Sequence, residues 1–188
     1  MSGARRPRPR DPQGRREAIV AAACEVIAEH GLASASHRLI ARRADVPLGS
    51  TTYYFPTRDD LHAAALERSV RACVEELERW AERLAGDPTA AALTELAAGY
   101  LADRARAIVE FELYLAAARE PRLRPLAASW IERLRSLLEP IAGAPRAHAI
   151  AMLLDGAMLQ AHVLDRPLDA EALAPALAAL LAEGPERR

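Results

Sequence analysis

The segment S-H-R-L-I-A-R-R-A-D-V-P-L-G-S-T-T-Y-Y-F, residues 36–55, decides how this chain folds. Its first half has apolar residues at helical spacing, and Ser36 stands where an N-cap hydroxyl would begin that helix. Those apolar residues are Leu39, Ile40 and Ala44. Asp45 then breaks the pattern, and Pro47 fits the first turn of a new helix, where its missing N–H needs no partner. The segment therefore predicts two short helices joined by a tight turn, the second from Pro47 to about Tyr54.

The second helix offers hydroxyl, phenol and methyl groups on its outer face. Short hydroxyls bond phosphates or base edges, and a helix-turn-helix places such a helix in the major groove. The same geometry also occurs in proteins that do not bind DNA. From spacing alone, a helical hairpin within an ordinary core is therefore as good an interpretation as DNA binding. The outward residues are Leu48, Ser50, Thr51, Thr52, Tyr53 and Tyr54.

The stretch from Arg15 to about Leu66 resembles the DNA-binding domain of the TetR family of transcriptional regulators. The positions that carry the resemblance are Ser36, Ile40-Ala41, Ala44-Asp45-Val46, Gly49, Tyr53-Tyr54-Phe55, Thr57-Arg58 and Leu61. Three residues depart from the family pattern. Asp45 stands where Gly is usual, Thr52 where Tyr is most frequent, and Arg58 where Lys is usual.

The resemblance implies a homodimeric regulator, most often a repressor, that binds a palindromic double-stranded DNA operator and is released by a small-molecule effector. Base contacts, or contacts to nearby backbone, are expected from the second helix, at Leu48, Ser50, Thr51, Thr52 and Tyr53. Phosphate contacts are expected from Ser36, His37, Arg38, Tyr54, Thr57 and Arg58. Ligand binding is expected to change the separation of the two DNA-binding heads of the dimer.

Composition indicates helices throughout, and charge separates the N-terminal part of the chain from the remainder. The 188 residues are 51% hydrophobic but only 4% aromatic, so Ala and Leu must fill closely packed helices. Residues 1–56 hold nine arginines and five acidic residues, whereas acidic residues outnumber arginines in the remainder. A basic N-terminal part (the head, residues 1–56) followed by an acidic remainder (the body, residues 57–188) favours a polyanion that contacts the N-terminal part only.

We predict an all-α fold of about nine helices in three segments. Residues 1–11 form a Pro- and Arg-rich arm, either a solvated tail or an arm that follows the minor groove or the phosphates. Residues 12–56 form the helix-turn-helix domain, and residues 57–188 form a ligand-binding and dimerisation domain. The first helix runs from Gln13 to His30, with His30 on its apolar stripe.

A long helix is predicted from Thr57, an N-cap, to about Leu84. Its buried seam is Leu66, Val70, Cys73, Leu77, Trp80 and Leu84. Five more helices follow, beginning near Thr89, Asp103, Leu123, Pro145 and Asp169, and the last is expected to reach Glu183. Pro175 should kink this last helix or move its start downstream.

The last two helices carry wide apolar faces of mostly small residues. These are Ala157, Ala161, Leu173, Leu177, Leu180 and Leu181. A two-fold dimer that meets as a four-helix bundle would cover them, and the resemblance implies the same interface. An intrachain core is the alternative.

The body's scarce large aromatic residues are the candidates for a ligand pocket. They are Trp80, Tyr100, Phe111, Tyr114 and Trp130, on helices that the resemblance places around the pocket. Arg104, Met152, Glu110 and Glu112 are the candidates for its polar or adaptable groups.

Other functional classes find little support in the sequence. It has no Gly-rich phosphate loop, no H-E-x-x-H and no G-x-S-x-G, so no catalytic residue, metal or cofactor is expected. Its two cysteines, Cys24 and Cys73, have no metal-ligand spacing, and no apolar run reaches the length of a membrane span. We therefore expect a cytoplasmic protein. The alternative function is a helical small-molecule-binding or protein-interaction dimer without sequence-specific DNA binding.

Overall fold

A computed structural model of the chain describes residues 11–182. All regular structure in that range is helical, which confirms the predicted fold class. The chain splits into two compact units, one up to Ala65 and one from Leu66. The helices are α1 (Pro12–His30), α2 (His37–Arg43), α3 (Leu48–Tyr54), α4 (Arg58–Gly86), α5 (Ala90–Ala102), α6 (Arg104–Arg119), α7 (Arg124–Ala142), α8 (Ala144–Val163) and α9 (Ala170–Ala182), with short 3₁₀ turns at Leu32–Ser34 and Pro121–Leu123.

Local signals begin and end α1. The Asp11 carboxylate accepts a hydrogen bond from the Gly14 N–H at 2.9 Å, and Pro12 fills the first turn. Gly31 ends the helix with φ 76°, a conformation that favours glycine, and its N–H donates to the Ile27 carbonyl at 2.8 Å. His30, predicted on the apolar stripe, is exposed because it lies at the end of the helix. The rest of the predicted stripe is buried: Ile19, Ala23, Val26 and Ile27.

The turn between α2 and α3 has the predicted construction with one difference. Ser36 caps α2, its hydroxyl oxygen accepting from the Leu39 N–H at 3.3 Å. Asp45 has φ 52°, in the left-handed region, which Asp tolerates better than most residues. Pro47 is the N-cap of α3 and not its first residue, so the helix begins at Leu48. A non-glycine residue therefore holds the position where the family pattern has Gly.

The long helix α4 begins in the first unit and ends in the second. Thr57 and Asp60 form its cap reciprocally: the Thr57 hydroxyl oxygen accepts from the Asp60 N–H at 3.1 Å, and the Thr57 N–H donates to the Asp60 carboxylate at 3.0 Å. The predicted seam is confirmed, since Leu66, Val70, Cys73, Leu77, Trp80 and Leu84 are all buried.

In the second unit, α7 packs along α8 and α5 packs along α9. Side chains cap three of its helices: Asp103 and Asp169, as their positions at the predicted starts indicated, and Thr89. The last helix begins at Ala170, upstream of Pro175, so the proline does not move the start. Residues 1–10 of the predicted arm and the predicted end at Glu183 lie outside the described residues. No helix between residues 11 and 182 is long and apolar enough to cross a membrane.

The apolar residues predicted for a dimer face are mostly used within the chain. Ala161, Leu173 and Leu177 are buried, and the other three are half-buried, packed against the core of the second unit; they are Ala157, Leu180 and Leu181. An intrachain core therefore accounts for the three buried residues, while the three half-buried residues keep part of their surface exposed. The reason is that α9 lies against α5 and α8, which cover its apolar face.

Candidate DNA-reading surface and ligand site

In α3, burial separates the hydroxyl residues into two groups. Thr51 is 0% exposed, and its hydroxyl donates to the Leu48 carbonyl at 2.8 Å. Thr51 was predicted to contact DNA, and the structure contradicts this because the side chain faces the core. Thr52, the next residue, is exposed, and its hydroxyl donates to the Gly49 carbonyl at 3.3 Å. Thr52 is therefore the threonine of this pair available to an outside partner.

The outward face of α3 is apolar and aromatic as well as polar. Tyr53 is 80% exposed and Leu48 is 45% exposed, which is high for such large side chains. Ser50 and Tyr54 are half-buried. The Tyr53 and Tyr54 rings meet edge to face with centroids 5.1 Å apart, so each limits the rotation of the other.

The six residues predicted to contact phosphates differ in what they have available. Arg38 is exposed. Arg58 is also exposed and uses one N–H on the Ala33 carbonyl at 3.3 Å, which leaves further donors. The Thr57 hydroxyl is fully engaged, since it accepts within the cap and donates to Asp60 at 2.7 Å. Both ring nitrogens of His37 are buried without a partner, so this ring must rotate to meet a phosphate.

Charge in the first unit is arranged so that some arginines are neutralised and others are not. Arg43 joins α2 to α1 by donating to Glu25 at 3.1 Å and to both carboxylate oxygens of Glu29. The hydrogen bond from Arg43 lowers the pKa of Glu29. Arginines exposed on this unit are Arg15, Arg16, Arg38, Arg42 and Arg58. The guanidinium of Arg16 lies 5.0 Å from the centre of the Phe55 ring, which is a cation–π contact.

The second unit has a buried cluster of three aromatic rings, which are among those predicted to line a ligand pocket. Trp80, Tyr100 and Trp130 are each at most 1% exposed. The Tyr100 centroid is 6.4 Å from Trp80, edge to face, and 5.6 Å from Trp130. The guanidinium of Arg106 lies 4.3 Å from the centre of the Tyr100 ring.

Glu110 lies inside this cluster with only 4% of its surface exposed. The Tyr100 hydroxyl donates to its carboxylate, and the Cys73 sulfur lies 3.1 Å from the same hydroxyl. Burial raises the pKa of Glu110 to about 7, the Tyr100 hydrogen bond opposes this, and the charge of Asp155 adds to the rise. Burial likewise raises the pKa of Cys73 to about 12, which keeps the thiol protonated at neutral pH.

Asp155 is a second acidic group in this interior. Burial raises its pKa to about 6, and its Oδ1 atom is buried without a hydrogen-bond partner. A hydrogen bond from the Trp130 side chain lowers the pKa of Asp155 and so opposes the effect of burial. A hydrogen bond from the Tyr114 side chain likewise opposes the rise in the pKa of Glu110.

The other predicted ligand residues lie apart from that group. Phe111 is half-buried, 6.3 Å from Tyr114 and 5.8 Å from His162 by ring centroids. Arg104 is exposed and pairs with Asp165 at 3.1 Å. Met152 is 57% exposed and lines a groove between α8 and α9. The structure therefore brings Trp80, Tyr100 and Trp130 together and leaves Phe111, Arg104 and Met152 outside the buried cluster.

Asp155 was missed by sequence reasoning, and Glu110 was only one of several polar candidates. The available signal was position: Glu110 is three residues from the buried Ala107 and Leu113, and Asp155 lies between the buried Ala151 and Met158 at helical spacing. An acidic residue on an apolar helical stripe is the pattern that would have found both.

Comparison with known proteins gives matches to both units. Residues 19–65 match the family model "Bacterial regulatory proteins, tetR family", and residues 86–183 match "Tetracyclin repressor-like, C-terminal domain". The HTH-type transcriptional regulator PksA of Bacillus subtilis is 41% identical over 61 residues, which is 32% of this chain and 30% of that regulator. The chain thus spans under a third of the length of that curated relative.

Solved structures match along most of the chain. A member of the TetR family from Streptomyces coelicolor A3 is 40% identical with a TM-score of 0.79, over 89% of this chain and 98% of the other. The multidrug binding protein EbrR in complex with ethidium is 42% identical with a TM-score of 0.72, over 89% and 98% of the two chains. EbrR has also been solved with proflavin and with malachite green.

Proposed function

The chain belongs to the TetR family of transcriptional regulators, and we propose that it is a repressor that binds a palindromic operator as a homodimer and is released by a small-molecule effector. The observation that carries the proposal is the outward face of α3. Thr51 and Phe55 anchor this short helix in the core, while Leu48, Thr52 and Tyr53 remain exposed. A helix fixed on one side and chemically varied on the other is suited to reading a major groove.

Two kinds of contact are proposed around that helix. Thr52, Tyr53 and the half-buried Ser50 contact bases or the backbone beside them, and Arg38 and Arg58 contact phosphates. Thr51 is removed from the set because it is buried. Each Lys or Arg contact to a phosphate releases counterions, so affinity should fall steeply as salt rises.

The proposed dimer is supported by an apolar strip on α8. Met152, Leu159 and Val163 are 57%, 45% and 74% exposed, and their spacing of seven and four residues places them on one face of the helix. Gly156 lies between them on that face, and apart from the adjacent backbone of α8 no atom comes within 4 Å of where a side chain would begin. A second copy of the chain is the proposed occupant, as in the two-fold oligomers of soluble proteins.

The proposed effector is a small molecule held by the second unit. Support comes from the aromatic interior around Tyr100 and Trp130, and from the likeness to EbrR, whose structures contain ethidium, proflavin and malachite green. These three dyes are aromatic cations. An effector that binds the DNA-free form more tightly lowers DNA affinity by linkage.

The test is a titration of the protein against labelled DNA from the region upstream of its own gene, with random DNA as control, at several salt concentrations. We expect preference for the upstream DNA and a steep salt slope. Arg38→Ala should weaken binding to both DNAs alike and reduce the slope of log K against log salt by about one. Tyr53→Ala should reduce the preference between the two DNAs.

Glu171→Gln is the matched control, because Glu171 is exposed in the second unit and the change should leave DNA binding as it is. Equal, weak binding to both DNAs, together with no selection from random oligonucleotides, would contradict the proposal. That result would favour a helical small-molecule-binding or protein-interaction dimer without sequence-specific DNA binding.

A further inference from the structure

A cavity of about 280 Å³ in the second unit has basic groups on its wall. It lies where the end of α5, the start of α6, the end of α8 and the loop that follows α8 come together. Arg104, His162 and Arg166 are the polar residues that line it within the described part of the chain, and none of the lining residues there is acidic. The wall of this cavity therefore offers hydrogen-bond donors and positive charge.

The two arginines differ in how far their charge is already used. Arg104 pairs with the Asp165 carboxylate at 3.1 Å. The Asp165 side chain is 85% exposed, so this ion pair is weak and an entering anion can compete with it. Arg166 is exposed, and its side chain makes no ion pair or hydrogen bond with any residue between 11 and 182. The cavity thus has one uncommitted guanidinium and a second that is held only by an exposed carboxylate.

His162 adds a neutral donor to the same wall. An arginine side chain only donates hydrogen bonds, so the His162 Nδ1 atom, 3.4 Å from the Arg104 Nη1 atom, accepts, and the ring proton lies on Nε2. Burial lowers the pKa of His162 and the charge of Arg104 lowers it further, so the ring is neutral at pH 7.5. The Nε2 atom is buried and has no hydrogen-bond partner within the described residues. A buried donor without an acceptor costs free energy, which an oxygen atom of a ligand would remove.

The remainder of the wall is apolar and restricts the kind of anion that fits. It includes Leu101, Pro167 and Leu168. A strongly hydrated ion such as inorganic phosphate would lose water against these side chains without replacement, whereas a short apolar tail gains from burial. A planar guanidinium matches the two oxygens of a carboxylate, and Arg104 already holds the carboxylate of Asp165 here. These features favour an organic carboxylate over an inorganic anion.

We propose that this cavity binds a small monocarboxylate with a short apolar tail, its carboxylate held by Arg104 and Arg166 and its tail against Leu101 and Leu168. The described residues that line the cavity include no member of the buried aromatic cluster of Trp80, Tyr100 and Trp130. The site is therefore separate from the aromatic interior assigned to the effector above, and the proposal goes beyond the proposed function.

Hexanoate, hexanamide, acetate and inorganic phosphate separate the contribution of the charge from that of the tail. Hexanamide keeps the tail without the charge, acetate keeps the carboxylate without the long tail, and phosphate offers charge alone. Each is titrated into the full chain without DNA at pH 7.5 and low salt, by isothermal titration calorimetry. We expect hexanoate to bind with a dissociation constant of about 0.1–1 mM, which is within reach of a ligand of its size, and at least about tenfold more tightly than the other three.

Two variants should change hexanoate affinity in opposite directions, which a merely structural role would not produce. Arg166→Gln removes the uncommitted guanidinium and should weaken binding about tenfold. Its matched control is Arg133→Gln, since Arg133 is an exposed arginine on α7 and does not line the cavity. Asp165→Asn removes the carboxylate that competes for Arg104, so it should strengthen binding about threefold, in keeping with an exposed ion pair.

The asparagine variant suits the backbone, because residue 165 has φ 49° and Asn tolerates the left-handed region as Asp does. Its matched control is Glu132→Gln, which removes an exposed acidic charge on α7 and should leave hexanoate affinity unchanged. Circular dichroism and thermal melting first establish that every variant is folded. Hexanoate binding no tighter than that of hexanamide or phosphate would overturn the proposal, as would folded Arg166→Gln and Asp165→Asn variants that both bind hexanoate as the wild type does. DNA titration is a separate measurement, so failure of the proposed function would leave these results unaffected.

Discussion

The two units handle polar groups in opposite ways. In the first unit, charged side chains lie at the surface and the key polar groups bond within a few residues, as Ser36, Thr57 and Thr51 do. In the second unit, Glu110 and Asp155 lie in the interior, where burial raises their pKa values. The first unit therefore satisfies its capping and core hydroxyls locally, whereas the second unit buries two carboxyl groups whose ionisation costs stability as pH rises through their raised pKa values.

The largest expected effect tests the interior of the second unit by Glu110→Gln. The folded-state pKa of Glu110 is raised from 4.5 to about 7, so its contribution to stability is present below pH 4.5 and is lost as pH rises through 7. A rise of that size corresponds to about 3 kcal/mol. Gln stays neutral and keeps an oxygen for the Tyr100 hydroxyl. The variant should therefore be more stable than the wild type by about 3 kcal/mol at pH 8 and by much less at pH 5.

Urea unfolding at the two pH values measures this difference. Glu132→Gln serves again as the control, because Glu132 is exposed and its variant should follow the wild type at both pH values. A Glu110→Gln variant that is no more stable than the wild type at pH 8 would show that the carboxylate is well accommodated, and the contrast between the two units would then disappear.

A smaller effect is expected within the first unit, from two neighbouring threonines of α3. Thr51→Val keeps the shape but removes the buried hydroxyl that donates to the Leu48 carbonyl, so it should destabilise the protein by about 1 kcal/mol and leave the DNA sequence preference unchanged. Thr52→Val removes an exposed hydroxyl, so stability should stay within about 0.5 kcal/mol while DNA affinity falls. Urea unfolding and DNA titration of both variants check the pair. If Thr51→Val instead lowered DNA affinity and Thr52→Val instead destabilised the protein, α3 would present its other face to DNA.

The smallest effect concerns the turn before α3, where Asp45 has φ 52°. Asp45→Ala places a residue without a local hydrogen-bonding group in the left-handed region, so it should destabilise the protein by about 0.5–1 kcal/mol. Asp45→Gly should be within about 0.5 kcal/mol of the wild type, because relief of backbone strain is offset by greater freedom in the unfolded chain. Thermal unfolding of the two variants measures the difference. If the Asp45→Ala variant were as stable as the Asp45→Gly variant, the backbone at position 45 would not be strained.

Most of the fold could be predicted because its signals are local. Caps such as Asp103 and Asp169, and the six-residue seam of α4, depend on residues three or four positions apart, which the sequence displays directly. The candidate sites were predicted less completely. Periodicity did not reveal that Thr51 is buried and Thr52 exposed, because a seven-residue helix has too few turns to show which side meets the core. Periodicity also did not reveal that α5 and α8 cover the apolar face of α9.

The sequence by itself determined the all-α class, the helix-turn-helix segment, the order of the helices and the family, since each follows from short-range spacing or from a run of residues in register. The tertiary structure alone decided which side chains face outward on α3 and which acidic groups enter the interior of the second unit. Glu110 on α6 accepts a hydrogen bond from Tyr100 on α5, and the charge of Asp155 on α8 raises its pKa; residues so far apart in the chain become neighbours only when the helices pack. Burial and pKa belong to that packing, because both depend on what surrounds a group and not on its place in the sequence.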